Sequence, residues 1–473
     1  MERLFGTDGI RGEVGKFPLT QEAVFAVGRT LGVWLKEQYP QQKSPLKILI
    51  GRDTRESGDD LEVALSEGAK FAGLQVLCAG VCPTPTVAYL TCTLGAHLGI
   101  AVSASHNPCS DNGIKLFDAD GYKLLSFAER RIEEIFFGIF ADKIRLNSKL
   151  DPSLDPSLKR NRKVYPLGLD DSRAEQDFIP LYLDFVKNIL GGLRLSGLTV
   201  VVDCAFGSFS KIAPQALREL GADVVAINSE PDGKNINVNC GTLYPQAMAE
   251  ELLRHRADIG IAFDGDGDRV IVADEKGNIL DGDHILAVLS RHFLEQNRLT
   301  GNSVICTQMS NIGLELYLQN QGIRMVRTEV GDKYVLEEML KTKANLGGEQ
   351  SGHIIILERT TTGDGLIAAL ELIQVMLKTK KRLSELSGDL RKFPQTLVNV
   401  RVKEKRPLEE IPGLNDTIKR CQKELGEACR ILVRYSGTEK LARIMVEGRC
   451  LPEVSRVADS LAMLIQNAVG ENK

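Results

Sequence analysis

Ala257-Asp258-Ile259-Gly260, continued by Ile261-Ala262-Phe263 into Asp264-Gly265-Asp266-Gly267-Asp268-Arg269, reads as a buried strand that ends in an acidic, glycine-spaced loop. The same phrase occurs twice more. Ala96-His97-Leu98-Gly99 leads to Ser103-Ala104-Ser105-His106-Asn107-Pro108, and Ala344-Asn345-Leu346-Gly347 leads to Glu349-Gln350-Ser351-Gly352-His353. Upstream of each phrase stands an apolar run of strand length: Lys47-Ile48-Leu49-Ile50-Gly51, Leu198-Thr199-Val200-Val201-Val202-Asp203 and Ser303-Val304-Ile305-Cys306. Each run is followed by a stretch of helical period that ends at a glycine opening a further strand, at Gly73, Gly221 and Gly322. Strand, helix and strand in that order make βαβ units. The chain is therefore expected to hold three similar mixed α/β domains, each offering one polar loop at the same strand end. Ligands of open α/β sheets sit beyond the carboxyl ends of the strands, so three such ends facing one central cleft would build one active site.

The expected boundaries are 1–172 for the first domain, 173–275 for the second and 276–390 for the third. Residues 391–473 do not repeat the pattern. Strand-like Leu397-Val398-Asn399-Val400 and Arg430-Ile431-Leu432-Val433 alternate there with helices, as in a smaller C-terminal α+β domain. The stretch 143–175, with its doubled Asp-Pro-Ser-Leu, reads as a polar linker or insertion without chemistry.

At 473 residues the chain is too long for one core. Its 43% hydrophobic and 26% charged residues are those of an ordinary globular protein, and a net charge of −4 gives no reason to expect a nucleic-acid partner. No apolar run reaches the roughly 20 residues that a membrane span needs. Met1-Glu2-Arg3-Leu4-Phe5-Gly6 is no secretory leader, and the ten cysteines form no CxxC pair. The expected location is the cytoplasm. A homodimer is compatible with the sequence and not required by it.

The loops carry the chemistry. Ser105-His106-Asn107-Pro108 is either a turn or an exposed nucleophile at a strand end, with His106 and Lys115 as nearby positive or proton-donating groups. In Asp264-Gly265-Asp266-Gly267-Asp268, three carboxylates at alternate positions with glycines between them can fold around one hard cation. A calcium-type surface loop or an ordinary acidic turn is the other reading, but an EF-hand would continue into a helix, and here the strand-like Val270-Ile271-Val272-Ala273 follows. Three oxygens leave positions open for a phosphate, which suits Mg²⁺ as a phosphoryl clamp. Gly347 to His353 is either a glycine-rich turn or a sugar grip. Glu349 and Ser351 suit hydroxyls there, and His353 suits acid–base work. Arg434-Tyr435-Ser436-Gly437-Thr438-Glu439 is a helix cap or a phosphate loop, offering one cation, two hydroxyls and backbone N–H groups. Arg11, within Phe5-Gly6-Thr7-Asp8-Gly9-Ile10-Arg11-Gly12, either belongs to a turn or reaches the transferring phosphate.

Taken together, these loops resemble the α-D-phosphohexomutase superfamily nearly end to end. FGTDGIRG, SASHNP with DNGIK, MSNIGLE (Met309 to Glu315), TEVGDKYV (Thr328 to Val335) and SGTE are similar to its bacterial hexosamine-phosphate subgroup. The resemblance implies four domains in a heart-like arrangement and a phosphoserine at Ser105. It implies Mg²⁺ held by Asp264, Asp266, Asp268 and that phosphoserine, with Glu349 and Ser351 on the sugar. Arg434, Ser436, Gly437 and Thr438 would hold the idle phosphate; Arg11, Lys115 and His353 would stand near the reacting group or serve proton transfer. The implied activity is that of an isomerase interconverting glucosamine 6-phosphate and glucosamine 1-phosphate through a bound 1,6-bisphosphate, upstream of UDP-N-acetylglucosamine and the cell wall. Alternatives are a phosphomannomutase/phosphoglucomutase, a metal-dependent sugar-phosphate phosphatase and a silent sugar-phosphate binder. Tyr435 and Lys440 stand where the superfamily's phosphate loop usually has prolines, Lys333 where it often has arginine, and Cys109-Ser110 where an aromatic-bearing pair is common.

Overall fold

The computed structural model describes residues 3–6, 8–148, 177–426, 429–436 and 440–471. Three of its four sheets share one plan. The first contains β1 (Ile10–Glu13), β2 (Lys47–Arg52), β3 (Gln75–Val81), β4 (Leu98–Val102) and β5 (Asp111–Asp118), in the order β1-β5-β4-β2-β3. The second contains β6 (Thr199–Asp203), β7 (Asp223–Ile227), β8 (Ile259–Phe263), β9 (Val270–Asp274) and β10 (Ile279–Leu280), ordered β10-β9-β8-β6-β7. The third, β11 (Ser303–Thr307), β12 (Arg324–Thr328), β13 (Leu346–Gly348) and β14 (Ile354–Ile356), is ordered β12-β11-β13-β14. In each, the first apolar strand pairs parallel with two neighbours, and the later of these turns back through an antiparallel partner.

That antiparallel return places the chemistry. Each polar loop is the connection from the last parallel strand to its antiparallel neighbour: β4 to β5, β8 to β9, β13 to β14. The strands behind these loops are fixed by burial on both faces. Ile48, Leu49 and Ile50 of β2, Val200 to Val202 of β6 and Val304 to Cys306 of β11 are fully buried. Their apolar surface supplies most of what holds each sheet under its helices. The second and third units share one continuous core, from Tyr182 through Phe263 and Leu286 to Ile373 and Leu390. The first has its own, built on Leu31, Leu65, Ile100 and Phe136.

The fourth unit is antiparallel: β15 (Gln395–Arg401), β16 (Arg430–Tyr435) and β17 (Leu441–Glu447), ordered β15-β17-β16. Its inner face packs Ile444 and Val446 on Val454, Val457 and Leu461 of the last helix, Leu451–Val469. The architecture is thus three similar α/β units and a smaller α+β unit. One expectation is corrected. The stretch 143–175 does not begin as an irregular linker, because the helix Ser126–Ser148 carries its first six residues. The rest of it lies outside the described residues. Among the described residues no helix is long and apolar enough to cross a membrane.

Candidate active site

The turn out of β4 puts Ser105 in the left-handed region (φ 54°), fully buried. Its Oγ donates to Asp264 Oδ2 at 2.6 Å, in the acidic loop of the second unit, and His106 Nδ1 lies 3.3 Å from the same oxygen. What holds so strained a residue is Arg55, itself fully buried. Its guanidinium donates to the carbonyls of Ser105 (2.9 Å), Asn107 (2.8 Å), Asp111 (3.0 Å) and Pro108, and to Asp53 Oδ2 at 2.9 Å. Asp53 in turn accepts from Ser103 Oγ at 2.5 Å.

The three aspartates converge. Asp264, Asp266 and Asp268 are buried, with one oxygen of each within 4.8 Å of the others. Lys115 Nζ, on β5, donates to Asp266 Oδ2 and Asp268 Oδ2, both at 2.8 Å, and Thr84 Oγ1 gives Asp266 Oδ2 a second donor at 2.6 Å. These contacts load one oxygen of each carboxylate. Asp266 Oδ1 and Asp268 Oδ1 are left buried without a hydrogen-bond partner. Burial together with the charges of Asp268 and Asp266 holds the Asp264 carboxyl well above the usual range, a sign of surplus negative charge. Burial would also raise Asp268, but Lys115, His353 and Arg269 together outweigh it and hold that carboxyl low. Burial would lower Lys115, yet Asp266, Asp268 and Asp8 keep it firmly protonated. Orphaned carboxylate oxygens beside a repelled carboxylate and a serine hydroxyl fit a divalent cation with hard oxygen ligands.

The loop needs its glycines for space. Gly267 has φ +76°, and a Cβ there would meet the Phe209 ring at 2.4 Å. Gly267→Ala should therefore cost roughly 2–3 kcal/mol, from left-handed strain plus overpacking. A urea midpoint unchanged from the parent would show that the loop has room to give.

Above this cluster opens a cleft of about 1530 Å³ lined by all four units. The first gives Asp8, Arg11 and His106; the second Asp268 and Arg269; the third Lys333, Glu349, Ser351 and His353; the fourth Arg443. Arg11 pairs with Asp8 and reaches Asn107 Oδ1 at 3.5 Å. Lys123 joins Asp8 (2.5 Å) to Asp332 of the third unit, tying two walls of the cleft together. His353 is buried between Asp268 and Asp332, at 3.7 and 3.5 Å. Burial alone would lower its pKa, but the two carboxylates hold it above the ordinary value. Glu349 is pushed up by burial, and Ser351 Oγ reaches it at 3.4 Å.

Most predicted residues thus meet around one cleft. Of the two readings of His106, the positive one is disfavoured: burial, then Arg269 and Arg11, push its pKa down to about 4. On the fourth unit the cleft is lined by Arg443, while Arg434, its register partner across β16 and β17, is half-buried and outside the lining. Ser436 is buried, its carbonyl accepting from Lys405 at 2.7 Å. Gly437 and Thr438 lie outside the described residues. Sequence reasoning missed Arg55, Thr84, Lys123, Asp332, Arg269 as a separate cation, and Arg443. The only signal for two of them was their place in stretches already singled out: Asp332 in TEVGDKYV, and Arg269 closing the acidic loop.

Comparison with known proteins agrees with this geometry. The chain matches the phosphoglucomutase/phosphomannomutase family in all four of its parts: alpha/beta/alpha domain I over residues 2–142, domain II over 180–277, domain III over 281–393 and the C-terminal domain over 397–464. It is 44% identical over 468 residues, 98% of each chain, to a phosphoglucosamine mutase of Bdellovibrio bacteriovorus. A phosphoglucomutase/phosphomannomutase family protein of Burkholderia thailandensis shares the fold (TM-score 0.76, 24% identity, 98% of this chain and 97% of that one). So does the N-acetylphosphoglucosamine mutase of Aspergillus fumigatus, solved with GlcNAc-6P and magnesium (TM-score 0.65, 18% identity, 98% and 96%).

Proposed function

The chain belongs to the phosphoglucomutase/phosphomannomutase family, the α-D-phosphohexomutases, and from that premise we propose that it interconverts glucosamine 6-phosphate and glucosamine 1-phosphate through a phosphoserine at Ser105. The observation that carries this reading is the Ser105 hydroxyl on Asp264, beside two orphaned carboxylate oxygens, in a chain so similar to a phosphoglucosamine mutase. Phosphorylated Ser105 gives its phosphoryl group to a hydroxyl of the bound monophosphate. The serine O–P bond breaks, a sugar O–P bond forms, and the proton lost by the sugar hydroxyl ends on Ser105 Oγ, which leaves as a free hydroxyl. The 1,6-bisphosphate turns over in the cleft and returns its other phosphate to Ser105.

Asp264, Asp266, Asp268 and the Ser105 phosphate would hold Mg²⁺, which when bound withdraws charge from the moving group. Lys115, kept protonated, balances the charge of Asp266 and Asp268. Arg11 and Arg269 line the cleft where further phosphate charge is carried, and Glu349 with Ser351 offers acceptors and a hydroxyl to the sugar. The expected site of action is the cytoplasm. Parallel assay of glucosamine, glucose and mannose 6-phosphates tests the substrate. Dominant turnover of a sugar without the amino group would overturn that assignment, and free phosphate released in step with substrate loss would make the chain a phosphatase.

Arg434, Ser436, Gly437 and Thr438 are assigned to the idle phosphate. A loop that reads phosphate and not the ring carbon must serve both orientations. Arg434→Ala should weaken binding of the 1-phosphate and the 6-phosphate alike, by about 2 kcal/mol, roughly thirtyfold. Titration calorimetry with both isomers checks this, and loss for one isomer only would remove Arg434 from a shared anchor.

A further inference from the structure

The loop Asn235–Gly241 of the second unit is used by none of the steps above, yet one of its side chains reaches the serine loop. Asn237 Nδ2 donates to the carbonyl of Ser105 at 2.9 Å and to that of Asn107 at 3.2 Å. Its backbone N–H is anchored on Ala205 O at 3.0 Å, at the carboxyl end of β6, and its φ is 61°. The Ser105 carbonyl therefore receives two donors from two units: Arg55 from the first and Asn237 from the second. The acidic loop closes on the same point. A Cβ on Gly265 would stand 2.8 Å from the Ser105 carbonyl oxygen and 2.8 Å from Asn237 Nδ2, so this glycine lets the two loops touch. Nearby, Thr54 Oγ1 donates to Phe206 O at 2.6 Å and Glu56 N to Gly233 O at 2.9 Å, which ties the same two units together.

We propose that Asn237 is a positioning residue for phosphoryl transfer, its amide gripping the serine loop from the second unit so that Ser105 Oγ is held in register with the acidic loop of that unit. Ser105 and Asp264 stand on different units, and in-line transfer tolerates little error in their separation. Arg55 shapes the serine loop within the first unit. Asn237 is the side chain that references it to the second. It touches no reacting atom.

The inference rests on Ser105 as the phosphoryl carrier. Asn237→Asp is the test, because aspartate is isosteric, tolerates the left-handed backbone and replaces two donated hydrogen bonds by repulsion. The expected result is a fall in kcat of at least about tenfold, with KM for the sugar phosphate within about twofold of the parent. Single-turnover transfer of phosphate from Ser105 to substrate, followed by intact-protein mass, should slow by the same factor. Asn237→Gly, which keeps the backbone and removes the repulsion, should lie between the two. A merely structural role would lower the melting temperature and leave kcat and the transfer rate of the folded enzyme unchanged, and that result overturns the proposal. A rise in KM without loss of kcat overturns it too. If Ser105→Ala still turns over, the carrier assignment fails instead, whatever Asn237→Asp does.

Discussion

Ser105→Ala should yield a folded protein that carries no covalent phosphate and turns over at least about a thousandfold more slowly. The change is small in volume, and alanine takes the left-handed φ no worse than serine, so Arg55 and Asn237 can still grip the loop carbonyls. What disappears is the Oγ that donates to Asp264 at 2.6 Å. Two neighbouring hydroxyls are already engaged: Ser103 Oγ donates to Asp53, and Thr84 Oγ1 to Asp266. Intact-protein mass spectrometry should show a phosphate-sized addition on the parent that the variant lacks. Near-normal turnover by the alanine variant would remove the phosphoserine from the mechanism.

How far the sequence revealed this site depends on how far apart the partners lie. The ends of β4 and β8 were legible because burial on both faces writes an apolar run that the polar loop follows directly, and the short β13 because it repeats the same Ala-x-x-Gly phrase. Repetition of that phrase three times exposed the common plan of the sheets, and with it the strand ends that share a cleft. The acidic loop was legible because its three carboxylates are alternate neighbours in the chain. The supporting side chains were not. Asn237 meets Ser105 from 132 residues away, Thr84 meets Asp266 across 182, and Lys123 meets Asp332 across 209. No local period or spacing encodes such a pair; only the docking of one unit on another creates it. Which of the two readings of His106, positive or proton-donating, fits was not legible for a related reason. Its side chain gives a pKa near neutrality, but burial between Arg11 and Arg269 pushes it down to about 4, and both burial and the arginine at 269 are tertiary facts. On the fourth unit Arg443 of β17, opposite Arg434 in register, lines the cleft, and no distinctive phrase marked it.

Asp266→Asn should move activity and metal-free stability in different directions. In the absence of a cation, three buried carboxylates repel one another, and Asp266 is one of the charges that hold Asp264 up. The amide keeps the shape and still offers an oxygen to Thr84 and Lys115, while removing one negative charge from that repulsion. Metal-free Asp266→Asn should therefore melt no lower than the metal-free parent. Adding Mg²⁺ reverses the ranking. The parent gains stability by mass action, about 2.7 kcal/mol at a hundredfold excess over Kd, whereas the variant lacks a charged ligand where Asp266 Oδ1 now waits without a partner. Its gain should be small at the same concentration. Activity should fall by about a thousandfold, since roughly 4 kcal/mol is the scale of one missing electrostatic contact to a transferring phosphoryl group. Thermal denaturation with and without Mg²⁺, alongside turnover at saturating Mg²⁺, checks all three. A variant that melts well below the metal-free parent would mean that Asp266 serves Lys115 and Thr84 as a structural anchor. A full Mg²⁺-dependent shift with normal turnover would take Asp266 out of the cation site altogether.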